Sequence, residues 1–215
     1  MEAELNPTEI RVLGCLIEKE ITTPDYYPLT LNALVNACNQ KSNRDPVLTF
    51  DETLVLRALD ELRIEHRLAV ETATAGSRAT KYKHCLPDRW NFSSAQISVL
   101  CELFLRGPQT AGDLRARASR MHGFADCREV ETVLKELSGR DDGPFVVLLP
   151  REPGRRESRW AHLFSGEPAV ETEPCTEAAP IDSDRIEALE TDVAALRRQL
   201  DELRTAFTEF KTGFE

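Results

Sequence analysis

The chain has 215 residues, 41% of them hydrophobic and 30% charged, with a net charge of −10. No apolar run approaches the roughly 18 residues of a membrane span. The acidic start MEAELNPTE lacks the basic-then-apolar order of a secretory signal, so a cytoplasmic protein without membrane contact is expected.

The first predicted helix follows Asn6-Pro7, with Ile10, Val12, Leu13 and Leu16 on its apolar face. A second opens at Thr30 in TLNAL and runs out into Asn39, Gln40, Lys41, Ser42, Asn43 and Arg44, closed by Asp45-Pro46. Proline disfavours helix at the residue before it, so this stretch reads as a loop. Two readings of the loop stand side by side. In one, its Asn and Ser side chains cap the helix and satisfy loop amides. In the other, Lys41 and Arg44 touch phosphate while the amides reach base edges. A third helix, DETLVLRALDEL, starts with Asp51 as N-cap. Two strand-like runs then flank a Gly-containing turn, RLAVETAT and TKYKH around AGSRA.

The pattern then repeats. Ile97, Val99, Leu100 and Leu103 follow Ser93-Ser94 at an offset of 87 from the first helix. TAGDL at Thr110 matches TLNAL, and DCREVETVLKEL at Asp126 matches the third helix, with Val130, Leu134 and Leu137 on Val55, Leu59 and Leu62. PFVVLLP and RWAHLF around REPGRRES supply a second strand pair, in which Arg159-Trp160-Ala161-His162 aligns with Lys81-Tyr82-Lys83-His84. Three helices closed by a β-hairpin is the winged-helix order. The expected fold is mainly α with small β-hairpins (α+β): winged-helix domains at 1–88 and 89–164, an acidic Pro-rich linker at 165–183 and a coiled-coil helix at 184–211.

LNPTEIRVLGCLIEKE, YYPLTLNALVNACNQKSNRDPV, VLRALDEL and TKYKH closely resemble the YceH-like family of uncharacterised bacterial proteins. The resemblance spans roughly residues 5–165 and implies tandem winged helices. It carries no activity with it.

In a winged helix the third helix normally enters the major groove and the wing meets backbone or minor groove. Here the first third helix opens Asp51-Glu52 and the second is nearly balanced in charge, which argues against ordinary groove reading. The hairpins are basic: Arg78, Lys81 and Lys83 in the first, Arg151, Arg155, Arg156 and Arg159 in the second, with Gly154 at its turn. Arginines along a hairpin suit phosphates or a narrow minor groove. The leading expectation is a non-catalytic DNA-binding protein, such as a transcriptional regulator, using these cations with Lys41 and Arg44. The alternative is a protein-interaction adaptor, which the acidic starts of both third helices favour.

No catalytic constellation, cofactor motif or phosphate-binding glycine loop appears, and Cys15, Cys38, Cys85, Cys101, Cys127 and Cys175 follow no zinc spacing. No enzyme activity, cofactor or metal is therefore expected. His84 and His162 fall on equivalent positions, which suggests a packing role kept after duplication.

The tail carries the net charge: residues 1–88 hold −4, residues 89–164 hold +2 and residues 165–215 hold −8. Within it, Ile186, Leu189, Val193, Leu196, Leu200, Leu203, Phe207 and Phe210 alternate three and four residues apart. With Ile186 at position a, Arg185 with Glu190 and Asp192 with Arg197 become attractive flanking pairs of a parallel homodimer. The same helix could instead fold back on its own chain.

Overall fold

The computed structural model describes residues 4–72, 79–152 and 154–166. They form a mixed α+β unit of helices and small antiparallel sheets. The first half runs α1 (Pro7–Thr22), a 3-10 turn (Pro24–Tyr26), β1 (Leu29–Thr30), α2 (Leu31–Cys38), α3 (Glu52–Ile64), β2 (Ala69–Thr72) and β3 (Lys81–His84). A short helix, α4 (Leu86–Arg89), leads to α5 (Ser94–Arg106), α6 (Ala111–Ala118), α7 (Cys127–Ser138), β4 (Val146–Leu148) and β5 (Trp160–His162).

The helix starts are chemically matched between halves. Asn6 and Ser93 each build a capping box, with Glu9 and Gln96 at the third helical position returning a bond to the cap's own N–H. Thr30 and Thr110 cap α2 and α6, and Asp51 and Asp126 cap α3 and α7. Each such cap contributes about 1 kcal/mol relative to alanine.

Strand register repeats too. The first sheet has the order β1-β3-β2, with Leu29 opposite Tyr82. In the second half β4 pairs with β5, and Gln109 bridges to Trp160 through two backbone hydrogen bonds. Leu29 and Gln109 each precede a capping threonine, and Tyr82 and Trp160 are the equivalent strand residues. The second half thus keeps the counterpart of β1 as a single bridge.

One hydrophobic core runs through both halves. It centres on α1 crossing α5, where a side chain at Gly14 would meet Leu105 Cδ2 and Phe104 Cβ at 3.0 Å. Trp90, Phe92, Phe145, Phe164 and Phe104 pack beside it at centroid spacings of 4.8–6.0 Å, four pairs edge to face, Phe145 stacked on Phe164 and Trp90 tilted on Phe92. His84 and His162 both close their sheets. His84 Nε2 lies 2.7 Å from Glu20 Oε2, whereas the His162 ring stands edge-on to Phe104 at 5.1 Å. Among the described residues, no helix is long and apolar enough to cross a membrane.

Candidate interaction surfaces

The loop after α2 is a structural joint. Asn39 exchanges two hydrogen bonds with the backbone of Phe50, Nδ2 donating to its carbonyl at 2.8 Å and Oδ1 accepting its N–H at 2.7 Å. Asn43 adopts a positive φ of 52° and donates Nδ2 to Glu102 Oε1 at 3.0 Å. Asp45 N–H donates to the Leu105 carbonyl at 3.0 Å, tying the loop to α5.

Arg44 was expected at the surface and is buried, 4% exposed. Its guanidinium forks onto Glu18, Nη1 to Oε1 at 3.0 Å and Nη2 to Oε2 at 2.6 Å, and also donates to the carbonyls of Ala37 and Asn43. Arg120 bonds both Glu18 and Glu102. Two buried carboxylates thus face two guanidiniums, and α1, α2, α5 and the end of α6 converge on them. Burial alone would raise the Glu18 carboxyl, but the hydrogen bonds and charges of Arg44 and Arg120 bring it below its ordinary value. This pairing removes Arg44 from any phosphate contact. Sequence reading missed the joint because Arg44 and Glu18 are 26 positions apart. A signal was available: Glu18 and Glu102 are carboxylates set inside apolar helical runs.

The other expected contact residues stay near the surface. Lys41 is exposed, and Lys81 and Lys83 alternate with buried Tyr82 and His84 along β3. Arg78 lies outside the described residues. In the second hairpin Arg151, Arg155 and Arg156 are exposed and Arg159 is half-buried. Arg155 Nε donates to Glu152 Oε2 at 3.0 Å, and Arg159 pairs with the other Glu152 oxygen. The turn is made at Gly154 with φ 80°. Glu152 thus pairs with two of these four arginines and offsets a quarter of the charge that they bring. The heptad residues Ile186, Leu189, Val193, Leu196, Leu200, Leu203, Phe207 and Phe210 also lie outside the described residues.

A surface that sequence reading passed over lies on α3. Val55, Ala58, Leu59 and Leu62 face the core. The opposite face carries Leu56 and Ile64, 38% and 67% exposed, along a shallow groove shared with Arg57, Asp60, Glu61 and Glu65. The signal was present in the spacing: Leu56 and Ile64 fall off the core stripe by helical geometry. Among the described residues, no cluster of three or more His, Cys, Asp or Glu side chains is placed to hold a metal.

Residues 5–155 match the family model described as protein of unknown function, DUF480. A UPF0502 protein of Geobacter sulfurreducens is 54% identical, with all of each chain covered. One from Aeromonas hydrophila is 52% identical over 93% of this chain and 94% of the relative, and one from an Enterobacter species is 48% identical over 94% and 97%. With a match running from the cap of α1 into the second hairpin, and near-full-length identity around one half, the chain belongs to the DUF480 (UPF0502) family of bacterial proteins, the same family as the YceH-like proteins.

Proposed function

We propose that the chain is a cytoplasmic tandem winged-helix protein that acts without catalysis as an adaptor. In this reading it binds a protein partner through the outer face of α3, and two copies pair through the 184–211 heptads. The winged-helix assignment is supported by the order helix, short strand or single bridge, helix, helix, hairpin, found twice with equivalent caps and equivalent strand register. The observation that carries the adaptor reading is the outer face of α3. It sets exposed Leu56 and Ile64 among Asp60, Glu61 and Glu65, with Arg57 the one cation of that groove. Carboxylates there repel a phosphate backbone, and exposed aliphatic side chains gain nothing from it. Against a protein they supply the apolar centre and polar rim of an interface.

A second reading, DNA binding in transcriptional regulation, is favoured by one observation: Arg151, Arg155 and Arg156 project from the second hairpin. The test is fluorescence anisotropy of duplex DNA over a salt series. Phosphate contacts make affinity fall steeply as salt rises. The adaptor reading predicts no such binding near physiological salt. DNA binding whose salt slope flattens by up to about two units in Arg155→Ala/Arg156→Ala would replace it with the second reading.

A further inference from the structure

At the third helical position the two capping boxes carry Glu9 and Gln96, side chains that differ by one atom type. In the second half, Ser93 N–H donates to Gln96 Oε1 at 3.1 Å, and Gln96 Nε2 donates onward to Glu136 Oε2 at 3.2 Å. The amide thus accepts on one side and donates on the other, tying α5 to α7. In the first half Glu9 holds the place of Gln96, and Glu61 that of Glu136. Asn6 N–H donates to Glu9 Oε2 at 2.7 Å and Asn6 Nδ2 to Glu61 Oε2 at 3.3 Å, so the Glu9 and Glu61 carboxyls meet at one cap residue.

A carboxylate has no proton to donate. For Glu9 to make the bond that Gln96 makes, its carboxyl must be protonated, and the second half shows the neutral isostere in that role. We propose that Glu9 and Glu61 share one proton in the folded protein, forming a clasp between α1 and α3 that holds at and below neutral pH and opens as pH rises.

The surroundings fit a retained proton. Glu9 is 3% exposed. Among the described residues, the titratable groups facing it are Glu61 on α3 and His66 just beyond it, whose Nε2 stands 3.6 Å from Glu9 Oε2. Burial above all pushes the Glu9 carboxyl up to about 7; the Asn6 N–H works against it, and the neighbouring Glu61 carboxyl adds to the rise. Between the ordinary Glu value of 4.5 and about 7, the folded chain keeps a proton that the unfolded chain has released. The clasp therefore favours the fold most below that window and loses its contribution as pH rises through it. Glu61 also lines the outer groove of α3, so opening the clasp adds a negative charge beside Leu56 and Ile64. The clasp itself does not depend on what that groove binds.

The test is a carbon-13 NMR titration of side-chain carboxyls in the full chain, with Glu9 assigned from Glu9→Gln. The expected midpoint for Glu9 is about 7. In Glu61→Gln, whose amide can donate to a charged Glu9, that midpoint falls below the wild-type value, while burial keeps it above 4.5. The converse variant, Gln96→Glu, leaves the first half intact and installs the same pair in the second. It should add a carboxyl that titrates well above 4.5. A Glu9 midpoint near 4.5 in the wild-type chain overturns the proposal, as does a Gln96→Glu carboxyl that titrates normally.

Discussion

Gly14 and Cys101 occupy equivalent positions in the two halves, 87 residues apart, and they touch. The Cys101 thiol donates to the Gly14 carbonyl at 3.4 Å where α1 crosses α5. Such close approach requires that one helix carry no side chain at the crossing. A Cβ at residue 14 would sit 3.0 Å from Leu105 Cδ2 and Phe104 Cβ. Glycine in a helix interior gives up about 1 kcal/mol of propensity, so Gly14 is kept here for space. Gly14→Val should destabilise the protein by about 1–3 kcal/mol through overpacking, read as a lower urea midpoint with an unchanged slope.

The charged joint gives a second prediction. Arg44→Ala leaves Glu18 buried with Arg120 and a longer 3.7 Å contact from Lys19 to offset it. Loss of one partner of a buried pair costs about 3–5 kcal/mol. Pairing the change with Glu18→Gln should restore part of that loss, measurable by urea unfolding of the single and double variants. A phosphate-binding Arg44 would instead leave stability unchanged when removed.

A third prediction concerns acid. Desolvation lowers the His162 imidazole from 6.5 to about 4, and its Nδ1 is sealed from solvent without a hydrogen-bond partner. Between those values the unfolded chain binds a proton that the folded chain refuses, so stability falls as pH drops from 6.5 toward 4. The loss is at most about 3 kcal/mol, from 1.36 kcal/mol per unit. It runs opposite to the Glu9 clasp. Thermal melts of His162→Phe should flatten the acid limb relative to wild type.

Much of this architecture was legible from local chemistry. Asn6, Ser93, Asp51 and Asp126 announce helix starts because a cap acts within three residues of itself, and all four cap in the structure. Lys81–His84 read as a strand from its alternation, and Tyr82 and His84 are buried as that implies. β1 escaped notice because two residues, Leu29 and Thr30, are too few to show a period. Arg44 was misplaced for a different reason. Whether a cation at a loop end faces solvent or a buried carboxylate depends on a partner from another helix, which no local pattern encodes. Leu56 and Ile64 were readable as off-stripe apolar residues on α3 and were passed over in favour of the charges beside them.

The heptads supply a prediction about assembly. Leu196 and Leu200 are neighbouring d and a positions of the proposed seam, and a buried Leu contributes roughly 1.5–3 kcal/mol. Leu196→Asp/Leu200→Asp should convert a dimer to a monomer in sedimentation velocity, with the melting of residues 4–166 unchanged. A wild-type monomer would mean that the heptads do not pair two copies. A dimer in both would place the interface elsewhere.

The central claim, that the outer face of α3 docks a protein, is tested most directly by affinity capture from a lysate of the source bacterium. The full chain and Leu56→Asp/Ile64→Asp would be compared, and the eluates assayed for protein and for nucleic acid. Both substitutions lie on exposed positions, so the fold should survive them. The account predicts a discrete protein retained by the wild type, insensitive to nuclease, and lost from the variant. Equal recovery by both chains, or retention of nucleic acid that depends on Arg155 and Arg156, would contradict it.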